Sequence, residues 1–232
     1  MTVLSRGILP SGDSVFFSNW CGPEELPSPD QVRQHSDVLS SNRNIVVRFS
    51  HLKLIVKYGS CVREAEGQAL WVVKQFTDIA APTVYGWFQD GDEMFLYMSL
   101  EEGVTLASRW SKLLKEEKAD IANQLKGMFA SVSKVKLPPD ELYIGLPDSL
   151  PITLTHNDLN FTNILVSPHG SQVTAVIDWE LAGFYPSYWE WVTSTAMNEI
   201  RGGDIKHFMD TILKPHDLIY RHWSHWFRST GA

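Results

Sequence analysis

Four polar residues in one short stretch have the types and the spacing to do chemistry. His156, Asp158 and Asn163 form His-x-Asp-x-x-x-x-Asn, and Asp178 follows fifteen residues after Asn163 (178 minus 163), closing an apolar run. Phosphoryl transfer needs one carboxylate near the attacking hydroxyl, plus an Asn and a second Asp to hold magnesium against the phosphates. Asp158 fits the first role, and Asn163 with Asp178 the second. His156 reads as a support for the loop rather than an acid or base. Singly, each residue would more often be a cap, a turn former or a structural histidine. Their order, on suitable elements, is what points to chemistry.

The flanking residues must position them. Asn163 to Val166 and Val173 to Ile177 are short, apolar and β-branched, and Pro168, Gly170 and Ser171 separate them. That pattern predicts a hairpin. Asn163 begins it and Asp178 ends it, so both side chains fall at one mouth, with Asp158 on the loop leading in.

Further upstream, Ile45 to Phe49 and Leu52 to Tyr58 read as two strands joined around Ser50-His51, with Lys57 near the end of the second. A helix from Val62 to about Phe76 offers Glu64 and Glu66. In phosphotransfer sites a strand lysine holds the nucleotide phosphates and pairs with a helix glutamate. Glu66 is favoured as that partner because Ala69, Leu70 and Val73 follow at i+3, i+4 and i+7, on one face. Glu64 is the alternative. No glycine-rich phosphate loop precedes Lys57. Thr83 to Gln89 and Glu93 to Met98 flank Asp90-Gly91-Asp92, a second hairpin. Four strands and one helix therefore make a first unit, and Ser99 to Gly103 leads out of it.

Elsewhere, Ser28 and Pro29 open a short helix expected to run to about Leu39. Ile121, Leu125, Met128, Phe129 and Val132 form one helical stripe, read as core. Residues 134–151, with four prolines, read as a loop. Two more helices are expected from near Asp204 and Pro215. His207, His216, His222 and His225 match no compact zinc spacing. His222 and His225 instead fit a surface helix with Trp223 and Trp226.

The 232 residues allow one compact unit or two small lobes sharing a cleft. With 44% hydrophobic and 12% aromatic residues, core material is ample and disorder is not expected. A net charge of -7 argues against nucleic acid or an anionic membrane as partner. Cys21 and Cys61 are too few for a disulfide framework. No signal-peptide pattern and no run near the ~20 apolar residues of a membrane span is present, so the expectation is a soluble, cytoplasmic protein.

These motifs together resemble the aminoglycoside phosphotransferase and choline kinase family, closest to its large fungal branch. The resemblance rests on VKYG with Lys57, the helix with Glu66, and Ala81-Pro82-Thr83-Val84-Tyr85. It continues through Gly103-x-Thr105-Leu106 with Trp110, then THNDLNFTNILV and IDWELAGFYPSYWEW. It implies an α+β, two-lobed, protein-kinase-like fold: an N-terminal lobe over 1–98 with a small antiparallel sheet, and a mainly helical C-terminal lobe over 99–232. It further implies ATP and Mg2+ as cofactors and a small-molecule hydroxyl acceptor. Asp158 would be the catalytic base or hydroxyl-orienting group, Asn163 and Asp178 the magnesium ligands, and Lys57 the phosphate contact braced by Glu66. One departure concerns the acceptor. Only residues 136–153 fill an interval where relatives carry a long insertion, and the region after Trp191 is short, so the acceptor half is expected to be reduced.

Acidic residues Glu180, Glu190, Glu199 and Asp204, with Tyr185, Tyr188, Trp189 and Trp191, would suit a cationic acceptor. Core packing is the competing reading for those aromatics. The competing functions are a non-catalytic nucleotide- or ligand-binding protein of the same fold, and recruitment to different natural-product chemistry.

Overall fold

A computed structural model describes residues 2–3, 9–22, 25–41, 44–132, 135–136, 151–200 and 205–222. In chain order the elements begin with β1 (Thr2–Val3), β2 (Ser14–Phe16), α1 (Pro29–Gln34), β3 (Val38–Ser41), β4 (Ile45–Phe49) and β5 (Leu54–Gly59). Then come α2 (Glu64–Phe76), β6 (Val84–Asp90), β7 (Glu93–Ser99), β8 (Val104–Thr105), α3 (Leu106–Arg109), α4 (Lys115–Val132) and β9 (Val135–Lys136). The last are β10 (Ile152–Thr155), β11 (Ile164–Val166), β12 (Val173–Val176), β13 (Gly183–Pro186), α5 (Trp189–Ile200) and α6 (Ile205–Ile212).

Six strands, not four, form the first sheet, in the order β2-β6-β7-β5-β4-β3 with antiparallel neighbours. The two additions are the edges. Ser28 does cap α1, in a capping box with Gln31. The helix nevertheless stops at Gln34, because His35 is already extended. Tertiary pairing overrides the helical reading beyond that point. Arg48 donates its backbone N–H to Asp37 O at 2.9 Å, and its guanidinium grips the Asp37 carboxylate at 2.9 and 3.2 Å. The chain is thereby drawn alongside β4 as an edge strand.

The two-residue period of the central strands sorts the faces. Leu54, Val56 and Tyr58 of β5, with Phe95 and Tyr97 of β7, point to the outer face, where Val32 of α1, Val47 and Phe49 complete a buried cluster. Arg33 fastens α1 there, donating to Asp90 and Glu93 and lying 4.9 Å over the Phe95 ring. The intervening residues Ile55 and Lys57 must face the other way. On that inner side Trp87, Leu96 and Met98 pack against Leu70 and Val73 of α2. A cation thus stands on the inner face by strand geometry alone.

The second half carries the expected hairpin: β11 and β12 are antiparallel, with Ile164 opposite Val176, and β8 joins as a third strand. β10 pairs with β13, and β1 pairs in parallel with β9. The α4 stripe of Ile121, Leu125, Phe129 and Val132 is buried, with Met128 partly so. Of the expected loop over 134–151, Val135–Lys136 is strand, and residues 134 and 137–150 lie outside the described residues. The late helices are α6 and a helical stretch at 217–222; Trp223, His225 and Trp226 lie outside the described residues. Among the described residues no helix is long and apolar enough to cross a membrane.

Gly67 sets how closely α2 approaches the sheet. A Cβ there would meet Trp87 ring carbons at 2.5 and 2.8 Å. Trp87 cannot retreat: it is fully buried and its indole N–H donates to Gly12 O at 2.9 Å. Alanine gains ~1 kcal/mol of helix propensity over glycine, whereas overpacking a filled core costs about 1–3 kcal/mol. Gly67→Ala is expected to be destabilising by about 1 kcal/mol net in equilibrium urea unfolding. A more stable variant would show that the indole has room to move.

Candidate active site

The hairpin mouth is closed by Ile177 N–H donating to Asn163 O at 2.9 Å, which sets the residues bearing Asn163 and Asp178 side by side. Both side chains line one cavity. Asp178, like Asn157, adopts the left-handed backbone conformation (φ 66° and 68°), which short polar side chains tolerate better than most.

The loop between β10 and β11 is held from below by His156, which is fully buried. Its Nε2 lies 2.9 Å from Ile177 O, and a carbonyl can only accept, so Nε2 carries the hydrogen. Nδ1 is then free to accept the Asp158 N–H at 3.2 Å. Burial holds the imidazole pKa below its ordinary value, in keeping with this neutral form. Trp179 packs edge-on to the ring at 4.6 Å. The loop-support reading of His156 matches this geometry.

Asp158 is fixed at both oxygens. Asn160 Nδ2 donates to Oδ1 at 3.1 Å and Asn163 Nδ2 to Oδ2 at 2.9 Å, and both amides also reach the Asp158 carbonyl. Asn160, fully buried, escapes the sequence reading because it falls between the matched positions of the motif. Its partners lie only two residues away on either side, so the Asn-x-Thr turn it forms with Thr162 was the available signal.

Lys57 is 7% exposed and Glu66 is 3% exposed. Lys57 Nζ lies 3.1 and 3.0 Å from the two Glu66 oxygens. Glu64 turns outward and accepts from Gly12 N–H, so the alternative partner is set aside. The same ammonium also donates to Asp178 Oδ1 and Glu180 Oε2, each at 2.9 Å. Asn44 Nδ2 reaches that Glu180 oxygen at 3.4 Å. Burial works against the lysine charge, but Glu66, Asp178 and Glu180 more than reverse it and hold the pKa above the ordinary lysine value. Burial pushes Glu66 up to about 7, against the pull of Lys57 and with help from Asp178 and Glu180. Both values rise, which favours the charged form of the lysine but the protonated form of the glutamic acid. Geometry decides for a charged lysine: one ammonium touches three carboxylates, and their surplus negative charge lifts the most buried of them.

Glu180 and Glu190 were expected to face a cationic acceptor, and neither is available for it in this arrangement. Glu180 is on Lys57. Glu190, in the first turn of α5, is buried and accepts the backbone N–H groups of His156 and Asn157 at 2.5 and 3.2 Å. Burial raises its pKa to about 7, against those two donors and with a push from Asp158. The side chain of Glu199 and the whole of Asp204 lie outside the described residues. Among the aromatics, Trp191 is core, bonded to Asp210. Tyr185 and Trp189 are part-exposed and stacked at 6.1 Å, with Trp189 Nε1 donating to Asn157 Oδ1 at 2.9 Å.

The cavity measures about 740 Å³. Lys57, Glu66, Asn163, Asp178 and Glu180 line its polar end, and Val46, Ile55, Met98, Leu165 and Ile177 its apolar walls, with residues 99–103 along one edge. Asp158 is not part of its lining but is bonded to Asn163, which is. Among the described residues no group of three or more His, Cys, Asp or Glu is arranged to hold a metal by itself. An amide oxygen and a carboxylate are hard donors of the kind magnesium takes when phosphates complete its shell, so Asn163 and Asp178 fit that ion.

A buried carboxyl that holds two N–H donors has a testable signature. Glutamine at 190 offers one acceptor and turns an amide N–H toward the second donor, so Glu190→Gln is expected to cost about 1–3 kcal/mol. The folded-state pKa of about 7 lies above the ordinary value of 4.5, so the folded state retains the proton longer. That contribution is complete below the ordinary carboxylate range and is lost as pH rises through 7. The stability gap between wild type and Glu190→Gln should therefore narrow from pH 5 to pH 8 in thermal melts. A widening gap would contradict the assignment.

Comparison with known proteins places this geometry in context. A thermostable variant of aminoglycoside phosphotransferase APH(4)-Ia, in ternary complex with ADP and hygromycin B, superposes with a TM-score of 0.52 at 13% identity, over 71% of this chain and 73% of that one. A second variant, with AMP-PNP and hygromycin B, gives 0.50 at 15% identity, over 70% and 72%. A Ralstonia eutropha JMP134 protein classed as an aminoglycoside phosphotransferase gives 0.56 at 14% identity, over 87% and 78%. No curated protein sequence matches the chain. At these identities the likeness establishes the fold, which is the two-lobed, protein-kinase-like one. Within it, residues 108–204, the segment that holds Asp158, Asn163, Asp178 and Glu190, match the family described as Phosphotransferase enzyme family.

Proposed function

We propose that the protein transfers the γ-phosphoryl group of ATP to a hydroxyl of a small, cationic acceptor. The observation that carries this is the convergence on one cavity mouth of Lys57, Glu66, Asn163 and Asp178, with Asp158 bonded directly to Asn163. Lys57 contacts the phosphates and Glu66 fixes its direction. Asn163 and Asp178 would hold magnesium, which when bound supplies charge neutralisation on the phosphates. Asp158, its carboxylate clamped by two amides, orients the acceptor hydroxyl and takes up its proton as the bond to phosphorus forms. Catalysis of this kind comes from positioning and charge stabilisation, and a carboxylate locked at both oxygens is suited to it.

The apolar end of the cavity supports the nucleotide half of the reading. Its volume falls within the ~300–1,000 Å³ typical of small-ligand sites. Val46, Ile55, Met98, Leu165 and Ile177 would sandwich a base, with the backbone of residues 99–103 at its edge. The neighbours' complexes with ADP or AMP-PNP support the same use of the fold, and their hygromycin B supports a small hydroxyl-bearing acceptor. The stacked Tyr185 and Trp189, tied to the residue before Asp158, support a cationic acceptor through cation–π attraction.

Asp158→Asn and Asp158→Ala are expected to lower turnover by about 10²–10⁴-fold, while AMP-PNP affinity stays close to that of wild type. ATP consumption over a panel of amino alcohols, sugars and aminoglycosides measures the first, and calorimetry the second. Full turnover in either variant would remove Asp158 from the mechanism. Wild-type nucleotide binding without turnover of any acceptor would instead assign a binding protein on the same fold.

A further inference from the structure

Lys57 is saturated. An ammonium has three N–H donors, and Glu66, Asp178 and Glu180 each lie within 3.1 Å of it. A phosphate cannot reach Lys57 until one of these partners leaves. Glu66 is buried on the sheet-facing side of α2, and Asp178 is held at the hairpin mouth by the Ile177–Asn163 backbone bond. Glu180 stands in the exposed turn after Trp179, with a side chain 32% exposed, and reaches back into the cavity. Asp178 is as exposed, at 39%, but in the reading above it stays at the phosphates to hold magnesium, so Glu180 is the partner that must swing away.

The way Glu180 is held identifies what it replaces. Lys57 Nζ, from β5, and Asn44 Nδ2, from the residue just before β4, converge on the same oxygen, Oε2. Two cationic or amide donors closing on one anionic oxygen is the arrangement that would hold a phosphoryl oxygen. Asn44 carries a second mark of an incomplete site. It is 8% exposed, it lines the cavity, and its Oδ1 is buried without a hydrogen-bond partner. Reversing the amide does not relieve this, because Oδ1 would then face the Glu180 carboxylate, acceptor against acceptor. Buried polar groups are nearly always paired; because this orphan accepts, what completes it is a donor carried by the ligand, such as a hydroxyl or a metal-bound water, while the phosphoryl oxygen itself would fall to Nδ2.

We propose that Glu180 is a built-in stand-in for a nucleotide phosphate, seated between Lys57 and Asn44, and that nucleotide binds by displacing it. This rests on the ATP reading above and adds to it a loop-side phosphate residue, Asn44, where no glycine-rich loop precedes Lys57. It also adds a competitor belonging to the chain itself. Three carboxylates around one ammonium give this cluster a surplus of negative charge. A free triphosphate should therefore be resisted more than one that arrives with magnesium.

Calorimetric titration of AMP-PNP into wild type, Glu180→Ala and Glu180→Gln, with and without magnesium, tests this. Removing the competitor should tighten binding by about two- to fivefold in E180A, and by less in E180Q, the scale of one partly exposed ion pair. The gain should be larger without magnesium. Adding Asn44→Ala to E180A should weaken binding again by a similar factor, because the amide then contacts phosphate. Melting temperatures establish that each variant is folded. Unchanged or weaker binding in both Glu180 variants would overturn the proposal alone, making Glu180 part of the nucleotide site rather than its occupant. AMP-PNP binding that is absent from wild type, or indifferent to Lys57→Met, would overturn the ATP reading and this proposal together.

Discussion

A single buried ammonium holds this molecule's site together. Lys57 is almost removed from solvent, where a lone charge would be costly, and three carboxylates compensate it. One of them is nine residues away along the chain and the other two are 121 and 123 residues away. The sheet can bury that lysine only if α2 packs against it and the β11–β12 hairpin arrives beneath it. Strand alternation turns Lys57 inward, the helical period turns Glu66 to meet it, and the small residue Gly67 lets α2 come close enough for the pair to form. Each local preference agrees with the others, which is how a polar centre can coexist with a packed core.

The loop that carries Asp158 is fixed for a related reason. Its backbone N–H groups are taken by Glu190 from α5 and by His156 from within, and its carboxylate is held by Asn160 and Asn163. Glu190 takes the place of water for two donors that would otherwise be buried unpaired, and its own burial is tolerated because those donors offset it. The loop is therefore preorganised before any ligand binds, whereas Lys57 is engaged with a partner that would have to be exchanged. On the proposed function this difference has a use: one part would orient a hydroxyl and the other would admit a highly charged ligand.

Much of the fold was legible along the chain. The hairpin bearing Asn163 and Asp178, the Lys57 strand, the choice of Glu66 over Glu64 and the α4 stripe all follow from periodicity, because each depends on residues that pattern locally. What was not legible depends on partners remote in sequence. β3 looks helical until Arg48 fixes Asp37 beside it, and β2 is too short to announce itself. Glu180 and Glu190 look like surface acids, since a carboxylate reads the same whether it meets water, a buried lysine 123 residues away or the amides of a loop 34 residues before it. Tyr185, Trp189 and Trp191 divide between exposed stacking and core, a distinction that only packing makes.

The central claim is that a nucleotide's phosphates come to Lys57, with a divalent ion between them and the hairpin mouth. A crystal structure of the protein grown with magnesium and AMP-PNP tests it most directly. The account predicts phosphate oxygens within about 3 Å of Lys57 Nζ, and a metal ion in contact with Asn163 Oδ1 and the Asp178 carboxylate. A nucleotide bound with its phosphates away from Lys57, or an ion that touches neither Asn163 nor Asp178, would contradict it.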